Sequence, residues 1–269
     1  MTKAKIFRWL KVLTIIYCVI GIALYYLQEN FLFHPTVLDR NYQFQFNMPF
    51  EEVKIPFSKT DTISMVKFFP KDSVRRGVVV YFHGNKDNID RYAKFAINFT
   101  KHGYEVWMED YPGYGKSVGD RTEKKMYQQA AVIYEMAASK YKSDSIIVFG
   151  KSLGTGIAAY VASQKKCKRL ILETPYYSIP ALFGSYAPVY PTTRMSKYKI
   201  PTYEYLQEVS EPITIFHGTN DGVIPYRNAA KLKAVLKPTD EFITIEDGTH
   251  HNLNNFSLFK NKIDSLLDL

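Results

Sequence analysis

The 269-residue sequence has only two cysteines, Cys18 and Cys167. One lies in an apolar stretch near the N-terminus and the other in a lysine-rich loop. A disulfide between them is not expected, and cysteine usage assigns no redox compartment. No cysteine–histidine cluster has metal-ligand spacing, so no metal is expected. No low-complexity tract or internal repeat interrupts the chain. Negative charge is also scarce: 26 Asp and Glu stand against 35 Lys and Arg, a formal net charge of +9. A basic chain can bind nucleic acid or anionic lipid. The sequence lacks zinc-finger spacing, a basic helix or any other nucleic-acid motif, so nucleic acid is not an expected partner. Four of the positive charges, Lys3, Lys5, Arg8 and Lys11, crowd the N-terminus instead, a placement that suggests membrane topology.

What is present is apolar and aromatic. Hydrophobic residues make up 46% and aromatic residues 15% of the chain, enough for a sizeable core. Residues 12–27, VLTIIYCVIGIALYYL, contain no charge. Trp9 precedes this run and Tyr25 and Tyr26 close it, like aromatic residues at the two membrane interfaces. The run is slightly short of the ~20 residues that cross a bilayer, a gap that snorkelling of Lys11 would close. It is expected to be a single transmembrane helix with a cytoplasmic N-terminus and the rest of the chain across the membrane. The competing reading is a signal peptide cleaved after Ala23, which would release a secreted or periplasmic protein. The expected division is an anchor with a basic tip over 1–30 and a globular domain over 31–269.

The remainder alternates short apolar runs with longer helical patterns. A hairpin is expected over Glu52–Phe57 and Ser64–Phe69. Further strands are expected at Gly77–Phe82, Gly103–Met108, Ile146–Phe149, Arg169–Glu173, Ile213–Phe216 and Phe242–Ile245. Helices are expected over Ile89–His102, Thr122–Tyr141, Gly156–Gln164 and Phe256–Leu267. This alternation predicts an α/β fold, a mostly parallel sheet with helices on both faces. Residues 176–205, rich in proline and tyrosine, break the rhythm and are expected to form a small cap inserted over the sheet.

Function in an open parallel sheet gathers at the carboxyl ends of the strands. The residues there are His83-Gly84-Asn85, Asp110-Tyr111-Pro112-Gly113-Tyr114-Gly115, Gly150-Lys151-Ser152-Leu153-Gly154, His217-Gly218-Thr219-Asn220-Asp221 and Gly248-Thr249-His250-His251. Gly-Lys-Ser-Leu-Gly fits the G-x-S-x-G nucleophile elbow, and the chain order Ser, Asp, His is that of the α/β-hydrolase triad. Taken in order, these motifs resemble the α/β-hydrolase superfamily. The nearest likeness is its membrane-anchored serine-hydrolase branch, which includes the depalmitoylating α/β-hydrolase-domain proteins. It covers roughly Phe31 to the C-terminus, and the FLFHP stretch looks like the segment that follows the anchor in that branch. One departure is Pro112, where relatives often carry Arg.

A serine hydroxyl needs a base to become a nucleophile, so Ser152 is the candidate nucleophile. His250 is the candidate base: its 29-residue spacing from Asp221 and the position of Leu253 match the resemblance. His251, followed by Asn252, remains the alternative. Asp221 is expected to orient the imidazole. The resemblance implies oxyanion donors in the backbone N–H groups of Asn85 and Leu153. His83, Asp110, Glu173 and His217 are read as structural. The expected activity is cleavage of an ester or thioester of a small-molecule or acylated, lipid-like substrate through an acyl-serine, and it implies no organic cofactor. A peptidase or amidase on the same triad, or a binding protein without catalysis, is the alternative.

Overall fold

The computed structural model describes residues 2–72 and 75–268. The chain opens with α1, Lys3–Leu32, a helix of 30 residues and about 45 Å in length. The uncharged run makes it long and apolar enough to cross a membrane. It stops where Phe33 turns extended, its N–H donating to the Glu29 carbonyl at 2.8 Å, just before Pro35.

Eight strands form the sheet that follows: β1 (Phe50–Pro56), β2 (Thr62–Phe68), β3 (Gly77–Phe82), β4 (Tyr104–Glu109), β5 (Ile146–Lys151), β6 (Arg169–Glu173), β7 (Ile213–Gly218) and β8 (Glu241–Ile245). Their spatial order is β8-β7-β6-β5-β3-β4-β2-β1. The β1–β2 and β2–β4 pairs are antiparallel and the others parallel. Gly77-Val78-Val79-Val80-Tyr81-Phe82 is buried at every position. That explains its continuous apolar run, since a central parallel strand has no water-facing side.

Helices cover both faces. On one lie α2 (Glu123–Ala138) and α3 (Gly154–Gln164). Thr122 starts α2, its hydroxyl accepting the Lys125 N–H at 3.2 Å, which satisfies a donor the first turn leaves free. Three short helices between β6 and β7 then follow in the chain: α4 (Ile179–Tyr186), α5 (Thr192–Met195) and α6 (Thr202–Glu208). On the other face lies α7 (Ser257–Asp268), burying Phe259, Ile263, Leu266 and Leu267.

One expected helix is not continuous. Residues 89–102 form a single turn at Ile89–Tyr92, a 3₁₀ turn at Ala93–Phe95 and another turn at Ile97–Thr100. The buried residues Ile89, Tyr92, Ala93, Ala96, Phe99 and Thr100 keep the three-and-four spacing of one helical face, so the expected inward face is present although the winding tightens at Ala93–Phe95. A short parallel pairing of His34–Pro35 with Lys86–Asp87, which the sequence pattern does not reveal, ties the exit of α1 to the loop after β3.

The face of α1 bearing Tyr17, Gly21, Leu24 and Gln28 turns toward residues 186–197. Tyr17 stacks on Tyr190 with centroids 4.6 Å apart. The two hydroxyls donate to the Val189 and Tyr17 carbonyls, each at 3.1 Å. Gly21 lets Tyr190 close in, since a Cβ there would lie 3.1 Å from its ring. Gln28 is buried and clamps the segment, donating to the Met195 carbonyl at 3.2 Å and accepting from the Lys197 N–H at 2.6 Å.

Candidate active site

Ser152 sits between β5 and α3 with φ at +52°, the left-handed region. Such a turn is strained for a residue with a Cβ. The surroundings hold it: Ser152 N–H donates to the Glu173 carbonyl at 2.9 Å, and its own carbonyl accepts from the Thr155 N–H at 3.0 Å. The flanking glycines are steric necessities. A Cβ on Gly150 would lie 2.5 Å from the Gly154 carbonyl oxygen, and one on Gly154 would lie 2.1 Å from that of Phe82. The turn thus brings the serine against the end of β3 and projects its hydroxyl above the sheet.

His250 and Asp221 meet it there. His250 Nε2 lies 2.8 Å from Ser152 Oγ, and His250 Nδ1 lies 2.8 Å from Asp221 Oδ2. The other carboxylate oxygen of Asp221 accepts the Val223 and Ile224 N–H groups, both at 2.8 Å. All three residues are buried. Burial works to raise the Asp221 pKa. The hydrogen bond and charge of His250, the Ile224 N–H and His217 outweigh it, so the carboxyl titrates below its ordinary value. A buried carboxylate on Nδ1 leaves Nε2 free to receive a proton from the hydroxyl.

His251 is exposed, its ring set edge-on to that of His250 with centroids 5.1 Å apart. Its pKa is lowered, by partial burial first and then by the charges of His250, Lys151, Arg91 and Lys86. His217 is fully buried, 3.7 Å from Asp221, with a pKa lowered chiefly by burial. His83 and Asp110 brace the loop after β3. The His83 ring lies 3.3 Å from Asp110 Oδ1, which accepts the Ile89 N–H at 2.9 Å. Glu173 binds Lys151 in a buried ion pair beside the serine and accepts from Asn254 at 3.1 Å.

Asn85 and Leu153 border Ser152 in a cavity of about 390 Å³. Its other walls are mostly apolar and come from Ile179, Leu182 and Phe183 of α4, from Leu24, Phe31 and Leu32 of α1, and from Val223 and Ile224 after β7. The contribution of α1 went unrecognised in the sequence. The Asn85 amide donates to the Leu32 carbonyl at 3.0 Å, tying the loop beside the serine to the end of the helix. The adjacency of FLFHP to the apolar run is the one sequence signal of that join. Among the described residues no group of three His, Cys, Asp or Glu is arranged to hold a metal ion.

An eight-stranded, mostly parallel sheet with a serine at the sharp turn after its central strand defines a class, and the chain has the α/β-hydrolase fold. Residues 73–204 match the family model described as serine aminopeptidase, S33. Among curated relatives, α/β-hydrolase domain-containing protein 17C of Xenopus tropicalis is 24% identical over 197 residues, 71% of this chain and 62% of the relative. Its human counterpart is 23% identical over the same share of this chain and 58% of its own length. The chain thus spans about six tenths of those relatives. An esterase of Pyrococcus furiosus superposes with a TM-score of 0.68 at 18% identity, covering 88% of this chain and 97% of that one. A monoglyceride lipase of Saccharomyces cerevisiae does so at 0.63 and 17%, covering 85% and 98%. At these identities the structural likeness speaks for the fold.

Proposed function

We propose that the protein is a membrane-anchored serine hydrolase that cleaves an ester or thioester of an apolar acyl group through an acyl-Ser152 intermediate. The observation that carries this reading is the unbroken hydrogen-bond chain from Ser152 to His250 to Asp221, at 2.8 Å in each link, opening on an apolar cavity. Ser152 Oγ attacks the carbonyl carbon as its proton passes to His250 Nε2. Asp221 stabilises the imidazolium, and the N–H groups of Asn85 and Leu153 receive the oxyanion. The intermediate collapses, the leaving group takes the proton from His250, and water then releases the acyl group by the same steps. The names of the similar esterase and monoglyceride lipase agree with ester chemistry.

The aminopeptidase description of the matching family model favours a second reading, amide cleavage at a peptide N-terminus. An α-amino group requires a carboxylate or comparable acceptor, and the residues bordering the cavity include no Asp or Glu. The apolar walls suit an acyl chain better.

The helix α1 supplies the anchor. Its N-terminal lysines and arginine assign that end to the cytoplasm by the positive-inside rule, with the hydrolase domain across the membrane. One face of α1 is taken by residues 186–197, so lipid meets the others. Tyr17, which holds the Val189 carbonyl, lies ten residues, about 15 Å, inside the end of the apolar run, so Val189, 71% exposed, is carried into the lipid beside α1, and the cavity opens beside lipid. A fluorophosphonate probe tests the chemistry: it should label the wild type and spare Ser152→Ala. Equal labelling of both would overturn the reading. Resistance to alkaline carbonate extraction and an intact mass that retains the N-terminus test the anchor; a soluble species beginning at Leu24 would refute it.

A further inference from the structure

Ser152 stands between two unlike spaces. The apolar cavity is bordered by Ser152 but not by His250. A second recess, about 80 Å³, is bordered by Ser152, His250 and His251 together with Lys86, Arg91, Lys94 and Lys151. This partition matters because of where the proton must go. The imidazole that accepts the serine proton hands it on to the departing atom, so the leaving group must lie on the His250 side of the carbonyl. The acyl chain then lies on the other side, against the walls of α1 and α4.

The recess is cationic. Arg91 pairs with Asp87 at 2.8 Å and Lys151 with Glu173. Lys86 and Lys94 have no carboxylate partner among the described residues; the Lys94 ammonium lies over the Phe95 ring, 5.2 Å from its centroid. Two positive charges are therefore left uncompensated beside the reacting centre. The same field reaches His251, where Lys151, Arg91 and Lys86 all act to disfavour a further positive charge. A neutral alcohol would gain nothing from this arrangement. A phosphate would, because ammonium and guanidinium groups donate charge-assisted hydrogen bonds to its oxygens.

We infer that this recess is a leaving-group site and that the substrate is an acyl ester or thioester of a phosphate-bearing alcohol or thiol. The inference rests on the reading of Ser152 as nucleophile. Collapse of the tetrahedral intermediate breaks the bond from the carbonyl carbon to the leaving oxygen or sulfur, whose electron pair stays with it. His250 protonates that atom. The alcohol or thiol departs through the recess with its phosphate, the acyl group stays on Ser152 Oγ, and water completes the hydrolysis. The same chemistry arises from a phospholipid monoester in the membrane or from a soluble acyl-coenzyme A.

The test uses the full-length protein in discs of zwitterionic lipid and three substrates sharing one acyl chain: 1-octanoylglycerol 3-phosphate, octanoyl-coenzyme A and 1-octanoylglycerol. At low salt, kcat/KM for at least one phosphate-bearing substrate should exceed that for the neutral ester by about tenfold, the scale of two partly exposed charge contacts. Which of the two is preferred identifies the source. The ratio should shrink as ionic strength rises from about 10 mM to about 1 M, because the screening length falls from about 30 to 3 Å. Lys86→Glu with Lys94→Glu should lower the ratio about tenfold or more, through KM. A wild-type ratio at or below one, or a ratio indifferent to both salt and the double substitution, would overturn the inference. If the neutral ester is turned over and Ser152 takes the fluorophosphonate label in that case, the hydrolase reading stands. If no substrate reacts and Ser152 is unlabelled, the hydrolase reading fails with it.

Discussion

Replacing Asp221 by Asn isolates the proton bookkeeping of the site. The amide is nearly the same size, so its Oδ1 still accepts the Val223 and Ile224 N–H groups that hold the side chain at 2.8 Å. Its nitrogen then occupies the place of Oδ2 and faces His250 Nδ1 across 2.8 Å. Two N–H donors cannot share that gap. The imidazole must move its proton to Nε2, the atom 2.8 Å from Ser152 Oγ, which then has no lone pair for the serine proton. The loss is of transition-state stabilisation, on the order of 10³–10⁴ in kcat, or about 4–5.5 kcal/mol. KM should change little, because the 390 Å³ cavity is bordered by neither residue. Steady-state hydrolysis of a short-chain aryl ester, with circular dichroism to verify folding, measures the effect. A folded variant that loses less than about tenfold in kcat would refute the assignment of Asp221.

His250→Ala should abolish most turnover and His251→Ala little of it; the reverse ranking in the same assay would transfer the base to position 251. Glu109 is fully buried, with neither carboxylate oxygen hydrogen-bonded, and burial, then the Asp110 charge, pushes its pKa well above the ordinary value. An acid whose pKa is raised on folding contributes its stability below the unfolded value, ~4.3, and loses it as pH climbs toward the folded one. Glu109→Gln should therefore raise the unfolding free energy read from urea titration at pH 8 more than at pH 4, by on the order of 1–3 kcal/mol; a pH-independent change would contradict the argument. Gly154→Ala forces a Cβ to 2.1 Å from the Phe82 carbonyl oxygen, so it should yield insoluble or inactive protein, and a fully active variant would show that the turn relaxes. Phe31→Ala removes part of the α1 wall and should raise KM for octanoyl esters several-fold while sparing acetyl esters, a contrast that parallel kinetics would detect.

The sheet and the order of its loops were legible because burial on both sides leaves a mark on sequence. A central parallel strand such as Gly77–Phe82 has no polar face to vary, and the glycines of Gly-Lys-Ser-Leu-Gly are imposed by neighbouring carbonyl oxygens that would lie 2.5 and 2.1 Å from a Cβ at positions 150 and 154. The inward face of residues 89–102 was legible from the three-and-four spacing of 89, 92, 93, 96, 99 and 100, but the 3₁₀ turn at Ala93–Phe95 that interrupts the helix leaves no mark on that spacing. Other features were decided only by tertiary contacts. Adjacent imidazoles at 250 and 251 are chemically identical in the sequence, and only the position of Asp221, 29 residues away, draws one ring to the serine and leaves the other in solvent. The docked face of α1 is the clearest case. Tyr17, Gly21 and Leu24 read as part of a lipid-facing run, because every apolar residue satisfies a membrane equally well. Which face meets protein depends on Tyr190 and Met195, more than 160 residues downstream. An apolar helix records in its own sequence that it avoids water; the identity of its neighbour is recorded only in the fold.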